Sequence, residues 1–147
     1  MAVSAKIYSS FPKRILEADV LGLDISDTVV KCALLTSGYT PSQTSHIDWT
    51  DVSAGEITGT GYTAGGATLT SKTVATLTLT TTFDAADVYW TNATFTARYA
   101  ILYLPTAPVG PAKWLILYVD FGEDKTVTNG TFGINWNSSG IFTAVVA

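Results

Sequence analysis

Gly59-Thr60-Gly61-Tyr62-Thr63-Ala64-Gly65-Gly66-Ala67-Thr68-Leu69, followed by Val74-Ala75-Thr76-Leu77-Thr78-Leu79-Thr80, decides the fold class of this chain. The glycines allow sharp bends, because glycine reaches positive φ without a Cβ clash. The second run alternates apolar residues with threonine at period two, so one face can pack while the other meets water. No acid, base or metal ligand lies in either run. The stretch specifies architecture rather than chemistry.

Outward from it the pattern stays β. Strands are expected at 27–35, 56–62, 67–82, 88–91, 94–104, 114–121, 131–136 and 141–146. The 67–82 run exceeds an ordinary strand and should contain a bend or bulge. Asn129-Gly130, between Thr126-Val127-Thr128 and Thr131-Phe132, reads as a type I′ hairpin turn. Ser138-Ser139-Gly140 reads as a second turn, and Asp84–Asp87 and the proline-rich 105–111 as loops. A short helix is expected over 10–18, with Ser10 as N-cap and Pro12 in its first turn. A helical turn over 45–52 should be anchored by Trp49, whose ring is costly to leave in water. Short strands separated by Gly, Pro and Asn turns specify an all-β, single-domain antiparallel β-sandwich or barrel with one or two short helices.

The 147 residues fit one domain, 1–147, with 1–10 a candidate extended arm. Charged residues are only 14% of the chain, against about 25% in ordinary soluble domains. Mean hydropathy is +0.29, yet no apolar run approaches the ~18 residues of a membrane span. The surface is therefore expected to be dressed in Thr, Ser and Asn, or covered by neighbours. A net charge of −4 opposes nucleic-acid binding, which needs clustered Lys and Arg. Lys13-Arg14, preceded by Lys6, reads as the solvated side of the short helix. The opening Met1–Lys6 lacks the charged and apolar regions of a signal peptide, so synthesis in the cytoplasm without export by that route is expected.

Each candidate site has a plainer reading beside it. Cys32 is the single cysteine and reads as a small buried hydrophobe in a strand. His46, with Asp48 and Asp51, would complete a nucleophile–base set with Cys32 only if the fold joined a mid-strand residue to a loop. One cysteine and one histidine make a zinc site improbable. Asp84 with Asp87, and Asp120 with Glu123 and Asp124, offer oxygen ligands but no EF-hand order; loop solvation, or Asp84 capping a turn, accounts for them. The same acids supply carboxylate pairs of the glycosidase kind, as would any β domain this rich in Asp and Glu. The glycines lack the Gly-Lys-Ser/Thr ending and following helix of a phosphate loop. Trp49, Trp90, Trp114 and Trp136 could form a carbohydrate platform, but their strand rhythm favours the core. The triplets at Asn92, Asn129 and Asn137 match the glycosylation pattern and read as chance in a Thr/Ser-rich chain. No catalytic residue, cofactor or metal is assigned.

One resemblance runs along nearly the whole chain. Its elements are Lys31–Pro41, His46–Val52, Glu56–Gly66, Phe83–Trp90, Thr96–Ala100, Tyr118–Gly122 and Gly130–Trp136 with Gly140-Ile141. In these the chain resembles a set of small tailed-bacteriophage virion structural proteins. The resemblance implies a non-enzymatic virion protein, a capsid decoration or cement protein on the head surface, with the major capsid protein as partner. It also implies self-association, with a trimer the leading expectation. Tail, neck or fibre placement, with tail or neck proteins as partners, is the alternative, and a carbohydrate-binding host-adhesion module is another. The low charge and high apolar fraction also favour an oligomer. Ile7, Tyr8 and Phe11 are the candidate protein-contact residues, because a short terminal arm has little core of its own.

Overall fold

The computed structural model describes residues 2–16, 24–106 and 113–146. Its elements, in chain order, are β1 (Ser4–Ile7), α1 (Ser10–Leu16), β2 (Lys31–Leu35), two 3-10 turns (Trp49–Asp51, Ser53–Gly55), β3 (Ala67–Thr68), β4 (Thr73–Leu77), β5 (Thr80–Asp84), β6 (Val88–Tyr103), β7 (Leu115–Ile134) and β8 (Phe142–Val145). A five-stranded sheet runs β1-β7-β6-β2-β3 and a three-stranded sheet runs β4-β5-β8. Every ladder is antiparallel. The two sheets pack together around one core, to which Phe83 and Phe142 of the smaller sheet and Trp90, Phe95 and Phe121 of the larger all contribute. The protein is an all-β sandwich with short helical pieces.

Burial explains why the middle strands are so apolar. Cys32 and Leu34 of β2 face the core between the sheets, whereas Ala33 and Leu35 face a second core on the opposite side. Tyr8, Tyr39, Trp49, Val52 and Tyr103 build that second core. A strand buried on both faces loses the polar half of its alternation, and Leu115–Val119 of β7 are accordingly all buried. The first half of β6 keeps one solvent face: Val88, Trp90, Phe95 and Ala97 point inward, Tyr89, Thr94 and Thr96 outward.

Several sequence expectations hold. The 67–82 run breaks at Ser71 and again at Thr78, both with positive φ, giving β4 and β5 as a hairpin. Trp49 anchors its 3-10 turn by stacking on Tyr103 with ring centroids 4.3 Å apart. The Asn137–Gly140 turn is closed by the Gly140 N–H donating to the Asn137 carbonyl at 2.8 Å. Cys32 is fully buried.

Others are corrected. Residues 56–62 form no strand, only isolated bridges Leu35↔Glu56 and Thr60↔Thr94, because Gly61, at φ +79°, turns the chain out of any ladder. The pieces 88–91 and 94–104 are one strand bent at Asn92, and 114–121 joins 131–136 in the single long β7. Asn129-Gly130 is therefore not a hairpin turn. Phe95 pairs with Val127 and Ala93 with Gly130, so Thr128 and Asn129 bulge opposite Thr94. Asn129 supplies the positive φ, 47°, and its N–H donates to Thr94 Oγ1 at 2.9 Å. Ser10 opens the helix instead of capping it by its side chain, whose Oγ is buried without a hydrogen-bond partner. The helix expected to reach 18 is described to Leu16. Residues 17 and 18, like most of the 105–111 loop, lie outside the described residues.

The expected arm is also corrected. Ser4–Ile7 pairs with Leu117–Asp120 as an edge strand of the domain's own sheet. Tyr8 is fully buried and Phe11 nearly so, while Ile7 packs against the main core. The Tyr8 and Phe11 side chains are committed inside the domain, whereas Ile7 is only partly buried.

Candidate functional site

The Gly59–Gly66 stretch is a stapled loop over the edge of β2. Glu56 Oε1 accepts from the Tyr62 hydroxyl and from the Gly65 N–H, each at 2.6 Å. Tyr62 Oη in turn accepts the Leu34 N–H at 3.1 Å, and Tyr103 donates its hydroxyl proton to the Gly65 carbonyl at 2.8 Å. Burial is the largest cause pushing the hydroxyls of both tyrosines up, that of Tyr103 to about 12. Both stay neutral donors near pH 7. Glu56, Tyr62 and Tyr103 are thereby committed to holding the backbone here.

The imagined Cys32–His46 pair does not form. Cys32 faces the core between the sheets, whereas His46 contacts Tyr39 in the second core beyond β2. Burial pushes the Cys32 thiol up to about 12, so it is no nucleophile near neutral pH.

Several of the candidate acids are tied up by local partners. Asp120 Oδ1 accepts from Arg98 Nε at 2.7 Å and from the Gly122 N–H at 2.8 Å, at a second irregularity of β7 where residues 121–124 stand opposite Arg98. The Arg98 bond is the main cause holding the Asp120 carboxyl below its usual range. Glu123 pairs with Lys125 and Asp124 accepts from Ser37. Asp87 receives the Trp136 N–H and the Tyr89 hydroxyl. Asp84 caps nothing with Oδ1, which is buried and unpartnered. Among the described residues no group of three His, Cys, Asp or Glu could hold a metal ion.

Three of the four tryptophans are core: Trp49, Trp90 and Trp114 are each buried. The exposed planar row that a carbohydrate platform needs is absent from them. Trp136 is half-buried, and its Nε1–H donates to the Ala86 carbonyl at 3.2 Å.

Two surface features remain, and the sequence reading singled out neither. The first is a concave groove of about 730 Å³ under the bent half of β7. Phe121, Val127, Phe132, Ile134, Trp136 and Ile141 form its apolar lining, and Val3–Ala5 one wall. Its rim carries Thr126, Thr131, Asn135 and Asn137, and Lys125 is its one ionisable lining residue among those described. Such a site can bind but offers no general acid–base pair. The period-two stripe Phe132-Ile134-Trp136 was the available signal.

The second feature is an aliphatic patch at one end of the smaller sheet. Leu77 is 81% exposed, Leu79 57%, Val145 65% and Val146 67%. Pairing sets Leu77 and Val145 on either side of Thr80 on one face, and the Val146 N–H donates to the Leu79 carbonyl one position further along the ladder, where alternation turns the side chains toward the other face. A smaller groove of about 260 Å³, lined by Phe11, Ile15, Ile25, Val74, Phe83 and Phe142 among others, opens on the same sheet.

Comparison with protein-family models, with curated proteins and with solved structures gave no match.

Proposed function

We propose that this chain is a non-enzymatic structural protein of a tailed-bacteriophage virion, a decoration or cement protein that binds the head through the major capsid protein. The sequence resemblance motivates the reading, and the aliphatic patch of Leu77, Leu79, Val145 and Val146 is the observation that carries it. Exposed aliphatic groups gathered at one end of a sheet, on a chain this poor in charge, are the mark of a contact surface. Burying a leucine or valine side chain contributes about 1.5–3 kcal/mol, so four such residues supply a useful but small anchor. A standard stable interface buries about 1,600 Å² in total. A patch of this size favours assembly on a repeating lattice, where many weak contacts act together. A protein that binds the mature shell and not its precursor stabilises the mature state by mass action.

The test is co-purification with particles, copy number and position. Many copies spread over the shell are expected. A single ring at a vertex or along the tail would move the protein to the neck or tail, and absence from purified particles would overturn the reading. Replacing Leu77 and Leu79 together by Asp should lower particle occupancy at least tenfold while circular dichroism and melting stay unchanged. Unaltered occupancy would remove the patch as the contact.

A further inference from the structure

His46, the single histidine of the chain, ends a chain of three hydrogen-bonded rings that begins in the core. Tyr8 Oη lies 2.9 Å from Tyr39 Oη, which lies 2.8 Å from His46 Nδ1. The Ser42 N–H also points at Nδ1, at 3.2 Å. A backbone N–H can only donate, so Nδ1 carries a lone pair and the ring proton sits on Nε2. Tyr39 then donates to Nδ1, and Tyr8 donates to Tyr39. Each buried hydroxyl proton has an acceptor in this one polarity.

The same loop ties down the N-terminal segment. Gln43 Nε2 donates to the Ile7 carbonyl at 2.6 Å, and the Ser9 N–H donates to the Gln43 carbonyl at 3.0 Å. Ser42, Gln43 and His46 therefore hold the β1–α1 junction as a unit.

We propose that His46 is a pH-sensitive latch on the N-terminal segment, closed when the imidazole is neutral and loosened when Nδ1 is protonated. A proton on Nδ1 faces the Ser42 N–H and forces Tyr39 to accept. The Tyr39 proton must then turn toward Tyr8 Oη. That leaves the Tyr8 proton, on a fully buried ring, without its acceptor. A stranded buried donor is costly, and its loss is not recovered from water.

The ionisable groups around the ring do not cancel this. Asp51 attracts the imidazolium, but it is exposed and its Oδ2 is already shared by the Ile47 and Asp48 N–H groups. Asp48 is two residues away and half-buried. Tyr99 packs on Tyr39 and Tyr118 on Tyr8. Burial, the largest cause for both, pushes the Tyr8 and Tyr39 hydroxyls up, so they remain neutral throughout. The sign follows: the hydrogen-bonded form is the neutral one, so the latch holds at higher pH and loosens when acid protonates the ring.

Hydrogen exchange of the intact protein, corrected for intrinsic rates, tests this at about pH 7.5 and about pH 5.5. Protection over residues 4–10 should fall about tenfold or more on acidification in the wild type, and hardly at all in His46→Gln, whose amide accepts without titrating. Equal loss in both proteins, or no loss in the wild type, overturns the latch. Tyr8→Phe removes the stranded proton and should reduce the pH response even if His46→Gln folds poorly. Imidazole nitrogen shifts give an independent check, since a proton found on Nδ1 at neutral pH would refute the polarity.

Discussion

Gly65 and Gly66 are neighbours with positive φ, +91° and +78°, yet alanine should be tolerated very differently at the two positions. At either one, a Cβ in the left-handed region costs roughly 1–2 kcal/mol. The entropy that alanine removes from the unfolded chain is the same for both, so it cancels in the comparison. The surroundings do not cancel. A Cβ at Gly65 would stand 3.4 Å from Tyr103 Oη and 3.6 Å from Lys31 Nζ, ordinary contacts with side-chain ends. A Cβ at Gly66 would overlap the Cys32 carbonyl and lie 2.6 Å from Ala33 Cα. That backbone belongs to β2, which is paired on one side with β6 and on the other with β3. It cannot retreat without breaking a ladder. Relieving such overpacking costs roughly 1–3 kcal/mol beyond the φ penalty. Urea unfolding followed by tryptophan fluorescence should therefore place Gly66→Ala well below Gly65→Ala in stability, by about 2 kcal/mol. Equal destabilisation within about 0.5 kcal/mol, the scatter of an uneventful surface change, would refute the close approach of the glycine loop to β2.

Tyr62→Phe deletes a hydroxyl that serves Glu56 and the Leu34 N–H, so a loss of about 1–3 kcal/mol is expected in the same urea assay. Cys32, with its thiol pushed up to about 12 by burial, should resist a thiol reagent at pH 8 in the native protein and react fully once unfolded; fast native labelling would contradict its burial. Asp120 is held below the usual carboxylate range chiefly by Arg98, so its contribution is present above the unfolded value, near pH 4, and is lost as pH falls through the lower folded value. Asp120→Asn should destabilise at neutral pH and flatten that acid limb of the stability–pH curve. Deleting residues 1–10 should destabilise the whole domain, because it removes β1 and the buried Tyr8; a truncated protein with unchanged melting would restore the free-arm reading.

The sequence by itself determined the all-β class, because period-two alternation is a property of neighbouring residues and survives any tertiary arrangement. It also placed Trp49 and Cys32 in the interior, since a large ring and an isolated thiol in an aliphatic run have few other places to go. Local signals failed where one backbone preference serves two structures. The positive φ that Asn129 favours suits a type I′ turn and a bulge equally, and only the register of Phe95 on Val127 and Ala93 on Gly130 chose the bulge. The fate of Ile7, Tyr8 and Phe11 was undecidable for a related reason. An apolar terminal segment is an arm or a core strand according to whether an unpaired edge lies within reach, and here the edge of β7 at Leu117–Asp120 does. The β7 groove and the aliphatic patch, too, exist only after folding. Their residues come from separate strands and loops, and long-range pairing alone makes Phe121 a neighbour of Trp136, or Leu79 of Val146.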